Sequence, residues 1–175
     1  MRSEQSERSP ERPKGVEGFK LAVLTISDRC SRGEAEDKSG KIIIEMLKAI
    51  KGEIVQYDIV PDEIGLIKEK LISYCDYLKV DLVFTTGGTG LGPRDLTPEA
   101  TREVSQRIIP GISEFIRSEG LKKTKNAVLS RGISAIRKGS IIINLPGSPK
   151  GVKESLLFIL DLIPHMLDMI KGNPH

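Results

Sequence analysis

Asp81-Leu-Val-Phe-Thr-Thr-Gly-Gly-Thr-Gly-Leu-Gly-Pro-Arg-Asp95 runs an apolar strand into a glycine-rich loop that ends on a carboxylate. The strand portion is continuously apolar rather than alternating, as expected of a strand covered on both faces. In the loop, Gly87, Gly88, Gly90 and Gly92 let the main chain come close to a ligand. Backbone N–H groups freed by such a loop gather an anion, most often a phosphate. Asp95 then sets a negative charge beside that anion pocket. An acid there repels phosphate unless a divalent cation lies between them, so the segment points to a phosphate ligand with Mg²⁺.

Outward from this loop, apolar runs alternate with segments of helical spacing. Phe19–Ile26, Glu53–Val60 and Ser140–Leu145 read as further strands. Helices are expected over Asp37–Lys51, over a segment after Pro61-Asp62-Glu63 that carries Ile64, Ile67, Leu71 and Leu78 on one face, and over Gly111–Lys122. Thr97-Pro98-Glu99 reads as a helix start with Thr97 as the cap, and that helix stops before Pro110. Ser148-Pro149 starts a last helical region, which Pro164 should kink or divide. Ala127–Ser130 is expected to be a short strand or extended piece. The alternation predicts a single α/β domain, doubly wound, with a mostly parallel sheet and helices on both faces. In such sheets ligands bind at the carboxyl ends of the strands. Ser27–Asp37, Pro61–Glu63, Gly87–Asp95 and Pro146–Pro149 all follow strands and should therefore share one edge.

Residues 1–18 are polar, alternate Arg with Glu, and are expected to form a mobile tail ahead of a domain spanning 19–175. The 175-residue chain is long enough for a core without staples. Cys30 and Cys75 have no disulfide or metal spacing and fit a reducing cytoplasm. No apolar run is long enough to span a membrane, and no signal-peptide pattern opens the chain. The net charge is +3, yet residues 112–153 hold nine Lys/Arg against two Glu. That block suits either a solvated basic face or attraction of a polyanionic small molecule. Nucleic acid is disfavoured, because aromatics make up only 4% and no basic stripe alternates with stacking residues.

The loop lacks the lysine of the common nucleotide-triphosphatase loop and the spacing of the dinucleotide fingerprint. A strand-to-helix turn can also need glycines simply for packing, and the carboxylates sharpen the reading. Asp62 follows one strand and Asp95 another. Asp62 either caps the helix near Glu63 or binds Mg²⁺, and Asp95 either pairs with Arg94 or the helix start at Thr97 or joins that metal site. Ser27 and Asp28 suit hydrogen bonds to a heterocycle or ribose, or a loop cap. Asn144, Pro146, Gly147 and Ser148 either bring an amide and a hydroxyl to a helix N-terminus, where an anion is favoured, or form a plain strand-to-helix turn. Ser130-Arg131 is polar and lies within the basic block. The histidines, His165 and His175, lie far along the chain from these loops, so a serine or cysteine nucleophile is disfavoured. What remains suits direct phosphoryl or nucleotidyl transfer by positioning and charge neutralisation.

Thr25-Ile-Ser-Asp-Arg29, Asp37-Lys-Ser-Gly40, Val60-Pro-Asp-Glu63, Thr86–Thr101, Leu129-Ser-Arg131 and Asn144-Leu-Pro-Gly147 together resemble the molybdopterin adenylyltransferases. These are the MogA/MoaB-like proteins of molybdenum-cofactor synthesis, related to the G domain of gephyrin. The resemblance covers roughly residues 19–171 and implies adenylylation of molybdopterin by MgATP with release of pyrophosphate. It makes Asp62 and Asp95 the catalytic, metal-binding pair. It assigns nucleotide and pterin contacts to Ser27, Asp28, Gly87, Gly88, Thr89, Gly90, Ser130, Asn144, Pro146, Gly147 and Ser148. It also implies a homotrimer and contact with the molybdenum-insertion enzyme. The rival expectation is a non-catalytic molybdopterin-binding carrier of the same fold.

Overall fold

A computed structural model describes residues 18–173, so nearly all of the expected N-terminal tail lies outside the described residues. Lys20–Ile26 forms β1, Glu53–Val60 β2, Leu82–Thr86 β3, Arg107–Ile108 β4, Ser134–Arg137 β5 and Ser140–Leu145 β6. They make one sheet in the order β2-β1-β3-β6-β5-β4. The first four in that order are mutually parallel, and β5 is antiparallel to both its neighbours. The chain moves from β1 outward to β2, then returns past β1 to β3. The strand order therefore reverses between β1 and β3, the place where doubly wound sheets open a crevice.

Helices cover both faces, as the sequence predicts. Lys38–Lys48 (α2), Pro110–Leu121 (α5), Pro149–Ile159 (α6) and Ile163–Ile170 (α7) pack on one face. There Ile43, Leu47, Val152 and Leu156 meet Leu21, Val23, Phe84 and Ile143. Ile64–Ile72 (α3) and Thr97–Val104 (α4) cover the other, where Ile67, Leu71 and Val104 meet Ala22, Leu24 and Val83. Six of the seven β1 residues are buried, because alternate side chains of a central strand enter two different cores. Phe84 is wholly buried, and cutting it to Ala would cost about 3–5 kcal/mol. No helix among the described residues is long and apolar enough to cross a membrane.

Several local expectations are corrected. Ser27 caps a one-turn helix at Asp28–Ser31 (α1) where a loop is expected. The face carrying Leu78 ends in a π-turn at Ser73–Tyr77 rather than as a regular helix. Lys125–Leu129 is a 3-10 turn, not a strand, since Thr124 accepts the N–H of Asn126 and starts a tight coil. Thr97 is not a cap: Leu96 holds that place, and the Thr97 hydroxyl instead donates to the Gly87 carbonyl at 2.9 Å. The β4 and β5 strands were not expected. The β5–β6 connection is a two-residue turn with φ of +44° at Lys138 and +82° at Gly139, the left-handed pair that a tight hairpin demands. Pro164 stands in the first turn of α7 and separates it from α6, as expected.

Candidate active site

Four loops meet at the carboxyl ends of β2, β1, β3 and β6. The backbones close up there. An added Cβ on Gly87 would lie 2.1 Å from the Ile26 carbonyl oxygen, and Gly87 has φ of +94°. That glycine lets the loop after β3 press against the end of β1. The Thr86 hydroxyl donates to the Pro146 carbonyl at 2.6 Å, and the Ser39 hydroxyl donates to the Gly147 carbonyl at 2.8 Å. These bonds tie the last loop to β3 and to the start of α2. Ser27, Asp37, Ser39, Gly87 and Gly147 line a cleft of about 260 Å³ at the strand-order reversal. Ser130, Pro146 and Ser148 line a more apolar groove of about 200 Å³ beside it, between α5 and α6.

The acidic residues stand beside the glycine loop. Asp62 Oδ2 accepts the Asp28 N–H at 2.9 Å, while Asp28 Oδ1 accepts the Asp62 N–H at 3.0 Å. Asp62 therefore does not cap α3, whose first residue has no side-chain cap. Arg94 reaches back from the glycine loop and grips Asp28 through Nε (2.6 Å) and Nη2 (2.9 Å). The Arg94 guanidinium, helped by the Asp62 N–H, lowers the Asp28 carboxyl to about 2. Burial pushes the Asp62 carboxyl upward, and the charges of Asp28 and Asp95 add to that shift. Asp95 Oδ2 accepts the Gly92 N–H at 2.8 Å. An added Cβ on Gly90 would lie 2.8 Å from this same oxygen, so the loop is wrapped around the carboxylate.

The remaining expected residues divide by what their polar atoms already do. Ser27 and Ser148 accept cap hydrogen bonds from the N–H groups of Cys30 (3.2 Å) and Gly151 (3.0 Å). Each hydroxyl proton is left to donate outward. Thr89 is buried in the loop, and Gly88 lies against Thr97 and Asp62. Asn144 is different. Its Nδ2 donates to the hydroxyls of Thr85 (2.9 Å) and Thr101 (3.0 Å), and its Oδ1 accepts the Ile133 N–H at 3.1 Å. The Asn144 amide thus binds β3, α4 and the chain entering β5 into one unit.

Some partnerships at the site leave no signal in the linear sequence. Asp37 is buried at the cap of α2, where Oδ1 accepts the Gly40 N–H and Oδ2 accepts the hydroxyls of Thr25 and Tyr57. Its partners lie on two strands, so linear spacing does not expose the group. Arg94, Glu99 and Arg131 likewise meet partners only in space.

Residues 22–165 match the family described as "Probable molybdopterin binding domain". The chain belongs to this molybdopterin-binding family. Among relatives of this family, a Helicobacter pylori protein named molybdopterin adenylyltransferase is 47% identical over 155 residues, covering 87% of this chain and 88% of its own. An Escherichia coli protein of the same name is 38% identical over 168 residues, with 88% and 86% covered. The solved structure of the molybdopterin biosynthesis enzyme MoaB from Thermus thermophilus superposes with a TM-score of 0.84 at 47% identity, covering 89% of this chain and 98% of that one. The residues matched to the molybdopterin-binding family thus include all four loops of the site.

The donor set around Asp62 and Asp95 fits Mg²⁺. This hard cation takes oxygen ligands and commonly one or two carboxylates, with waters and phosphate oxygens completing the octahedron. Among the described residues no cluster of three or more His, Cys, Asp or Glu forms a closed metal cage. Two partly buried acids beside a glycine loop match the open arrangement, and the Asp62 carboxyl, raised first by burial and further by the charges of Asp28 and Asp95, would gain most from a cation.

Proposed function

We propose that this protein transfers the adenylyl group of ATP to the terminal phosphate of molybdopterin in molybdenum-cofactor biosynthesis. An oxygen of the molybdopterin phosphate attacks the α-phosphorus of ATP. The bond from that phosphorus to the bridging oxygen breaks, and pyrophosphate leaves. The observation that carries this reading is that Asp62 lies against Gly88 and Asp95 against Gly90 of the same glycine loop, in a chain 47% identical to a molybdopterin adenylyltransferase.

Asp62 and Asp95 would hold Mg²⁺, which when bound offsets the charge on the ATP phosphates. The backbone of Gly87–Gly90 donates hydrogen bonds to a phosphate, with the Thr89 hydroxyl inside the loop. Ser27, Ser130 and Ser148 offer hydroxyls to the ligands, and Asp28, Pro146 and Gly147 shape the walls. Asn144 holds the floor. No covalent enzyme intermediate is needed, because two bound phosphates held in line supply most of the effect. The protein works as a homotrimer in the cytoplasm and hands its product to the molybdenum-insertion enzyme.

The test is incubation with molybdopterin, ATP and MgCl₂, followed by detection of adenylyl-molybdopterin and pyrophosphate. Both products are expected in equal amounts. Binding of ATP and molybdopterin with neither product formed would instead identify a carrier. Sedimentation equilibrium checks the trimer.

A further inference from the structure

The geometry assigns Arg131 a positioning role: it clamps the glycine loop from outside and fixes Asp95 through the loop's own carbonyls. This inference rests on the adenylyl-transfer reading for its catalytic consequence, though not for the clamp itself. Arg131 belongs to the Ser130–Ile133 segment, which enters β5 at the carboxyl edge of the sheet. Its three guanidinium nitrogens are all engaged within the protein. Nε donates to the Gly90 carbonyl at 2.8 Å, and Nη2 donates to the Asp95 carbonyl at 2.6 Å. Nη1 pairs with Glu99 Oε1, and Nη2 adds a longer contact of 3.4 Å to Glu99 Oε2. The Arg131 N–H donates to the Thr89 carbonyl at 2.9 Å. One residue therefore holds the loop at 89, 90 and 95.

The base from which Arg131 reaches is itself fixed. Arg117 on α5 donates to the Gly132 carbonyl at 2.8 Å and, more weakly, to the Ser130 carbonyl at 3.4 Å. Asn144 accepts the Ile133 N–H. Glu99 stands in the first turn of α4, where an acid is favoured, and it orients the guanidinium plane. A planar fork is required for this pattern, since a lysine ammonium cannot span two carbonyls and a carboxylate with the same geometry. The positive charge of Arg131, one member of the 112–153 basic block, is thus spent on the protein's own loop.

The decisive variants are Arg131→Lys, Glu99→Gln and Arg131→Lys combined with Asp95→Asn. Amide hydrogen exchange is followed in each, with turnover measured by adenylyl-molybdopterin formation. In Arg131→Lys, exchange at Gly90, Leu91 and Gly92 should quicken at least ~10-fold while β1 and β3 keep their protection. Its kcat should fall about 100-fold, the scale of a misplacement near 1 Å. In the Asp95→Asn background the same change should cost no more than about threefold, because the group it positions is already gone. Glu99→Gln keeps both carbonyl contacts and should give a smaller rise in loop exchange, which decides the clamp if Arg131→Lys does not fold. Unchanged loop exchange in both variants would overturn the clamp. A full 100-fold loss on top of Asp95→Asn would show that Arg131 touches the substrates directly and overturn the positioning role. If the unmodified protein forms no adenylyl-molybdopterin, the functional reading fails, while the exchange measurements still decide the clamp.

Discussion

Asp28 and Asp62 hold each other by reciprocal hydrogen bonds, each carboxylate accepting the other's main-chain N–H at 2.9 and 3.0 Å. Two acids at this range should repel. The contact persists because the charges are treated unequally. Arg94 neutralises Asp28, whereas Asp62 is left to burial and to its acidic neighbours. Asp28 thus acts as a bracket, and the proposed cation contact falls to Asp62.

Replacing Asp62 with Asn should separate activity from stability. The amide keeps an acceptor for the Asp28 N–H but removes the buried charge. Turnover is expected to fall by at least about 100-fold, on the scale of losing a key electrostatic group. The melting temperature should stay the same or rise, because active-site charge is held against stability. Asp95→Asn should lower turnover similarly. Near-normal adenylyl transfer in either variant would remove that residue from the catalytic pair.

The Arg94–Asp28 bracket makes a pH prediction. The native Asp28 carboxyl is held below its ordinary 3.8, so its stabilising effect is present above that value and is lost as pH falls through about 2. Asp62 works in the opposite sense. Its raised native value means that its contribution falls as pH rises from 3.8 through that value. Arg94→Gln should therefore be less stable than the unmodified protein at neutral pH, with the difference closing between pH 3.8 and about 2. Urea unfolding across that range checks it. A difference that persists undiminished below pH 2 would place its source elsewhere.

Asn144→Ala should act first on stability. It leaves the Ile133 N–H without its partner and strips a donor from two buried hydroxyls. A loss of about 2–4 kcal/mol is expected in denaturant unfolding. Lost turnover with unchanged stability would instead mark Asn144 as a direct ligand contact.

Lys79→Gly should stabilise the protein. Lys79 follows the π-turn with φ of +51°, a left-handed conformation that L-residues with a Cβ resist. Glycine relieves that strain but adds freedom to the unfolded chain, so a net gain of about 0.5–1 kcal/mol is expected. A loss in urea unfolding would show that the Lys79 side chain contributes more than its backbone costs.

The sequence exposed the parallel part of the sheet because continuous apolar runs such as Leu82–Thr86 and Ser140–Leu145 have no other economical place. It exposed the shared edge of the four loops for the same reason, since parallel topology places them there. It did not expose β4 and β5. Two and four residues are too short to show a period, and Lys138-Gly139 is a weaker hairpin signature than Asn-Gly. Thr97-Pro98 imitated a cap, yet tertiary burial redirected the hydroxyl to Gly87. The acids Asp62 and Asp95 stood out by their loops. The arginine contacts around them did not: Arg94, adjacent in sequence to Asp95, grips Asp28 instead, and Arg131 showed only as part of the basic block, because an arginine's partners are chosen in three dimensions and leave no fixed spacing in the chain.

The reversed direction of β5 has a consequence for how this site can diversify. In a wholly parallel sheet, only segments that leave a strand arrive at the carboxyl edge, and each must lead into a crossover helix. Here Ser130–Ile133 arrives from the opposite sense, before its strand begins. Residues 122–129 ahead of it are therefore an independent drawer in the molecule. Their length and chemistry can be rewritten to reshape the groove beside Pro146 without recutting any strand–helix joint of the parallel scaffold.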